Sequence, residues 1–250
     1  MAALLPDHPK PQQTLGHVIM SLAIIALIAM VAGLMGRELH WNSSAAMPQA
    51  KLAVAERAFQ AGDDRAAVML FSSLAKKGNP TAQYWLGHMT ELGLGVPRNP
   101  AKAIELYKKA ARQKLVAAEI RLGEIYLYGN LVPPDAVKAK AYLDKAAYRG
   151  SARAAMLLGQ VYRIGIGVAA NPTKAYAWLE VATLENNAFA KRERDASFHA
   201  LGLADQKSAV HEARQILKTI RSETAAQKSS TSKQPADKTA SAQKRSGRSS

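Results

Sequence analysis

Sliding the sequence along itself by 36 residues aligns three segments without a gap, starting at Thr81, Ala117 and Arg153. Eight columns are identical in all three: Ala82/Ala118/Ala154, Leu86/Leu122/Leu158, Gly87/Gly123/Gly159, Gly93/Gly129/Gly165, Val96/Val132/Val168, Lys102/Lys138/Lys174, Ala103/Ala139/Ala175 and Ala110/Ala146/Ala182. A unit of this length cannot bury its apolar face alone, so neighbouring units must stack on one another. The Ala-heavy hydrophobic fraction of 48%, with 6% aromatic residues, also suits helices better than a sandwich or barrel.

Each unit reads as two helices joined by a loop. Positions 82, 86, 89 and 93 follow helical spacing, so the first helix has one small or apolar face. Gly87, Gly123 and Gly159 fall mid-helix, where glycine costs about 1 kcal/mol relative to alanine. A cost repeated three times predicts close helix packing with no room for a side chain. Gly93, Gly129 and Gly165 end the first helix. Asn99-Pro100, Asp135-Ala136 and Asn171-Pro172 open the second, the side-chain oxygen capping free N–H groups and proline fitting the first turn. The second helices are expected over Ala101–Arg112, Val137–Arg149 and Thr173–Glu185, with Ala103, Leu106, Tyr107, Ala110 and Ala111 on the packing face.

These units resemble Sel1-like repeats, a branch of the tetratricopeptide-like helical-repeat proteins. The resemblance is carried by Ala82–Gly87, by the loops Gly93-Leu94-Gly95-Val96 and Gly165-Ile166-Gly167-Val168, and by Lys109-Ala110-Ala111 and Lys145-Ala146-Ala147. It covers residues 81–187. Residues Ala55–Gly78 look like a partial repeat, with Ala67, Leu70, Phe71, Ala75 and Gly78 one period before their counterparts. Repeat two departs from the pattern at Leu131, where the second loop glycine should stand, and adds Pro133-Pro134; repeat three ends Val181-Ala182-Thr183. The resemblance implies an all-α fold, a short right-handed helical-hairpin solenoid, acting as an adaptor that holds a protein or peptide on its concave face.

No charged residue occurs between Lys10 and Arg37. The densest stretch, Val18 to Gly36, would span roughly 28 Å as a helix, close to the hydrocarbon thickness of a bilayer. Its length, and the Arg37-Glu38 that follows in place of a small-residue cleavage site, favour a single uncleaved transmembrane helix over a signal peptide. Ala29/Gly33 and Ala32/Gly36 are small-xxx-small pairs, a route to a homodimer through this helix. Flanking charges tie, with Lys10 and the amino terminus on one side and Arg37 and Lys51 on the other, so local charge sets no orientation. By analogy with the family the expected home is a bacterial inner membrane. The repeats are expected in the periplasm, as amino-terminal signal anchors commonly insert.

The organisation expected is therefore an N-terminal tail (1–16), a transmembrane helix (17–36), a linker (37–50), a partial repeat (51–80), three repeats (81–187), two capping helices (188–222) and a disordered basic tail (223–250). The capping pair reads as Phe189–Leu201 and Asp205–Ile220, the latter with Ala209, Ala213, Ile216, Leu217 and Ile220 on one face. From Gln227 onward every Val, Ile, Leu, Met and aromatic residue is gone.

Little in the chain points to catalysis. Cysteine is absent, which excludes disulfides, a thiol nucleophile, Cys-ligated zinc and iron–sulfur sites. The loop glycines follow helices, lack Gly-x-Gly-x-x-Gly and Gly-Lys-Ser/Thr, and are explained by the repeat as turns. The six histidines form no metal-binding motif, and no serine sits in a nucleophile elbow. No catalytic residue, cofactor or metal is expected, and the chain is read as a non-enzyme. The net charge of +15 is read first as solvated helix faces. Nucleic acid is disfavoured as a partner because no aromatic residues interleave with the charge between Lys228 and Arg248. The alternatives are a membrane-anchored accessory subunit of an enzyme, or a basic tail that binds anionic lipid or nucleic acid.

Contact residues are expected where columns vary between repeats. On the first helices these are Trp85 and His88, Arg121 and Glu124, and Leu157 and Gln160, each pair spaced i, i+3 on one face. Trp85 leads, since tryptophan and arginine carry much of the energy of protein interfaces.

Overall fold

Four side chains one period apart fix where the second helix of each hairpin begins. Asp63, Asn99, Asp135 and Asn171 each accept a hydrogen bond from the backbone N–H three residues on, at 3.1, 3.0, 2.9 and 2.9 Å. Each satisfies one of the donors that a helix start leaves free. The computed structural model describes residues 49–185 and 188–232; the expected membrane helix at 17–36 and the end of the chain lie outside them. The first helix, α1, covers 49–60, and α2 covers Asp64–Lys76. Three hairpins follow in strict period: α3 (Pro80–Leu92) with α4 (Pro100–Arg112), α5 (Val116–Tyr128) with α6 (Ala136–Tyr148), and α7 (Ala152–Ile164) with α8 (Pro172–Ala182). A short 3-10 turn, Thr183–Glu185, follows α8; then come α9 (Ala188–His199) and α10 (Leu203–Ser232). Among the described residues the fold is all-helical, and no helix is long and apolar enough to cross a membrane.

Within a hairpin the two helices meet at the mid-helix glycine. A Cβ on Gly123 would lie 2.6 Å from the Leu143 side chain, one on Gly159 2.7 Å from Leu179, and one on Gly87 3.0 Å from Tyr107. Tyr107, Leu143 and Leu179 are themselves one period apart, so the same contact is built three times. The missing side chain lets the second helix approach, and the burial it permits offsets the local propensity cost. Gly93, Gly129 and Gly165 then close α3, α5 and α7 in the left-handed conformation, at φ 80°, 67° and 82°.

Repeat two solves its irregular loop differently from its neighbours. Gly95 and Gly167 hold φ 66° and 68°, whereas Leu131 stays out of the left-handed region and packs its side chain against the core. Gly167 has no alternative: a Cβ there would fall 2.0 Å from that of Ala136. Lys114 is the one described non-glycine residue at positive φ (66°), at the α4–α5 junction where Gly78 and Gly150 stand one period away.

The core divides in two. One cluster centres on Phe71, Leu74 and Met89, with Trp85 packed against it, and joins α1, α2 and α3. The larger one runs from α4 to α10. In α10, Ala209, Ala213, Ile216 and Ile220 are buried and Leu217 half-buried, as the predicted stripe requires. The helix packs on α8 and also reaches α6. It continues to Ser232, past the expected end at Ile220 and into the segment expected to be disordered from 223. No glycine or proline interrupts it, and Glu223, Ala225, Ala226, Gln227 and Lys228 are good helix formers.

Candidate partner-binding face

The six residues expected on the contact face fall on the stacked first helices α3, α5 and α7, and the structure gives them different surroundings. Trp85 is half-buried among rings: Phe59 at 5.1 Å between centroids, Tyr84 at 5.6 Å, His88 at 5.9 Å and Phe71 at 6.2 Å. His88 is half-buried and parallel to Tyr84, 6.5 Å away. Burial holds its imidazole below the ordinary histidine value of 6.5, against the opposing pull of Glu91. Leu157 is 5% exposed and belongs to the large core, while Gln160 is half-buried on the same helix.

Arg121 and Glu124 are brought together, and three residues the spacing argument passed over complete the group. Arg121 donates through Nε to Glu91 Oε2 at 3.1 Å, pairs a second time with Oε1 of Glu91, and reaches Glu124 Oε2 at 3.2 Å. Arg153 donates through Nε to Glu124 Oε1 at 2.9 Å, and the Tyr107 hydroxyl to Glu91 Oε2 at 2.8 Å. The chain Tyr107–Glu91–Arg121–Glu124–Arg153 thus crosses all three repeats. Glu91 is 4% exposed. Burial pushes its carboxyl up, but the hydrogen bonds from Arg121 and Tyr107 outweigh that and hold it below the ordinary value. Burial and the neighbouring Glu91 push the Tyr107 phenol far up, so it stays a donor.

A second polar pair repeats with changed chemistry. Gln113 donates to Gln83 at 2.9 Å and to the Gly78 carbonyl at 2.8 Å. One period on, the same two columns hold Arg149 and Glu119, which form an ion pair with Glu119 1% exposed. In the third repeat the first-helix column is Ala155. The signal that could have found these groups is a charge within the apolar face of a first helix: Glu91 and Glu119 both interrupt it.

The columns of the expected site residues acquire a meaning from this geometry. Arg121 meets Glu91, thirty residues back; the same column pair is Ala55 and Trp85 one repeat earlier, and Leu127 and Leu157 one repeat later. All of these except Trp85 and Arg121 are buried, and those two are half-buried. Variation among Trp85, Arg121 and Leu157 therefore accompanies a change at the matching column of the preceding first helix, which holds Ala55, Glu91 and Leu127.

The Sel1 repeat family matches residues 80–115, 116–151 and 152–187, the three hairpins in register. Residues 80–187 are Sel1 repeats. The chain is also similar to the crystal structure of a Sel1 repeat protein from Oxalobacter formigenes, at 28% identity and a TM-score of 0.58, over 72% of this chain and 75% of that one. A protective antigen of uropathogenic Escherichia coli with an SLR fold is 26% identical, with a TM-score of 0.43, over 69% of this chain and 45% of that one. No curated protein matches the chain. Sel1 repeats generally serve as scaffolds for protein–protein interaction, and the stacked hairpins seen here are that architecture.

Proposed function

We propose that this protein is a non-catalytic scaffold, tethered to the bacterial inner membrane by residues 17–36, whose Sel1 repeats hold a protein or peptide partner in the periplasm. The observation that carries the reading is the half-buried aromatic cluster of Tyr84, Trp85 and His88 on α3, beside the ion-pair chain that continues along α5 and α7. Large rings with part of their surface left open, framed by charged groups, are what interface hot spots are made of. Among the described residues no cluster of His, Asp and Glu could hold a metal. Glu91, Arg121, Glu124 and Arg153 of the first helices are engaged with one another, and Glu119 with Arg149.

The test uses the full chain in cells, with a photo-crosslinking residue at His88 and, separately, at Lys191 on α9. His88 should crosslink to a discrete partner and Lys191 should not; Trp85→Phe, which keeps a ring on the core cluster, should weaken the His88 product while leaving the melting temperature within about 4 °C. A collapsed melting temperature assigns Trp85 to the core instead. Topology is read by fusing, after Ser250, a reporter active only outside the cytoplasm or one fluorescent only inside it. Fluorescence inside overturns the periplasmic placement.

A further inference from the structure

Between the hairpins, α4, α5 and α6 enclose a cleft of about 270 Å³ lined by Lys108, Tyr126, Lys138, Tyr142 and Lys145, with Ala141 at its wall. The two tyrosine rings stack with centroids 6.0 Å apart and planes 3° from parallel. Lys138 sits over the Tyr126 ring at 5.6 Å and Lys145 over the Tyr142 ring at 5.5 Å. Lys138 has a partner at the rim, Asp135 at 2.7 Å. Lys108 and Lys145 make no ion pair with any described residue. No carboxylate lines the cleft.

We infer that this cleft binds the acidic side chains of a peptide segment, and so names the chemistry of one partner contact; the inference rests on the scaffold reading above. The repeat supplies its own controls. Moved forward by 36 residues, the lining becomes Asp144, Tyr162, Lys174, Ala177, Trp178 and Val181. Two lysines are lost, Asp144 pairs with Lys140 at 2.7 Å, and Ala177, Trp178 and Val181 are buried. Moved back by 36, it becomes Ser72, Thr90, Lys102, Glu105, Leu106 and Lys109, with an acid on the wall and no ring. Three lysines, two of them without an acidic partner, line the cleft at the junction of repeats one and two, and at neither adjacent one. This departure from the repeat is not needed to stack the hairpins, which all three junctions achieve.

The geometry chooses among anions. Each tyrosine ring already has a lysine ammonium over it, at 5.6 and 5.5 Å from the centroid, so a nucleobase stacking there would displace a cation. The volume falls below the roughly 300–1,000 Å³ of drug-sized ligand sites, and the opening between helices suits one or two side chains rather than a flat lipid surface. Carboxylates entering there meet Lys108 and Lys145 as unpaired cations, with the tyrosine hydroxyls as further donors.

The experiment titrates fluorescein-labelled hexaglutamate into the full chain, solubilised in detergent, and follows anisotropy. Lys108→Glu with Lys145→Glu should weaken binding by about tenfold or more, while Lys191→Glu with Arg192→Glu, an equal charge change on exposed α9, should alter it less than about twofold. Equal losses in both would reduce the effect to net charge and overturn the site. Displacement of the peptide by an oligothymidylate or by anionic vesicles of equal charge concentration, as readily as by unlabelled peptide, would overturn the ligand class. Circular dichroism on both double variants checks that the hairpins persist; should the cleft variant unfold, Lys108→Gln with Lys145→Gln replaces it, set against Lys191→Gln with Arg192→Gln, and a loss is expected in the cleft pair only. The His88 crosslink reports on the scaffold reading separately, since the cleft variants leave Trp85 and its neighbours untouched.

Discussion

Acid should act on two side chains of the first repeat in sequence. His88 is held below its ordinary value of 6.5 by burial, so the unfolded chain takes up that proton first as pH falls. Its contribution to stability is complete above about pH 6.5 and is lost below it. Glu91, held below its ordinary 4.5 by Arg121 and Tyr107 once burial is overcome, contributes above that value and fails as pH drops further. Melting temperature measured from neutral pH downward should therefore decline in two stages. His88→Phe should abolish the upper stage and keep the ring packing against Trp85; an unchanged upper stage in that variant would refute the assignment. Of these residues, Arg121 and Glu124 were legible in the sequence because they share α5 at a spacing of three, and His88 because it stands at the same spacing from Trp85 on α3. Glu91, Tyr107 and Arg153 were not, because they reach the group from other helices, 16 to 30 residues from their partners. No local periodicity encodes such an approach.

At the scale of the element, the hairpins were legible almost to the residue. Capping side chains and left-handed glycines are local devices, and they recur at every period. The junctions from one hairpin to the next were harder, because identity breaks at Lys114. The backbone there is the one adopted by Gly78 and Gly150: in all three, the N–H of the positive-φ residue bonds the carbonyl three back and the next N–H the carbonyl five back. A side chain in that conformation costs about 1–2 kcal/mol, part of which glycine returns as unfolded-state entropy. Lys114→Gly should thus stabilise the protein by about 1 kcal/mol, raising the melting temperature by about 2–4 °C. No change, or a fall, would mean that Lys114 makes a compensating contact. The end of α10 was misread for a related reason: loss of large apolar residues marks the end of burial, not the end of a helix whose remaining residues favour it.

For the whole molecule, the column pair that is ionic at Glu91 and Arg121 changes at each junction between first helices, holding Ala55 and Trp85 one repeat earlier and Leu127 and Leu157 one repeat later. Burying an ion pair adds little net stability, but removing one partner strands the other. Arg121→Leu alone should cost about 3 kcal/mol by leaving Glu91 without its cation. Adding Glu91→Leu and Tyr107→Phe, which convert this junction to the aliphatic kind and remove the hydroxyl that would lose its acceptor, should recover most of that loss in chemical denaturation. A triple variant no more stable than the single one would show that the pair holds the repeats for another reason. The differing junctions also limit how such an array can change length. Excising residues 116–151 would preserve every helix boundary and every turn, yet set Leu157 opposite Glu91. A unit that is interchangeable by its outline is not interchangeable by its neighbours, and the number of units is fixed by recognition between adjacent copies rather than by the shape they share.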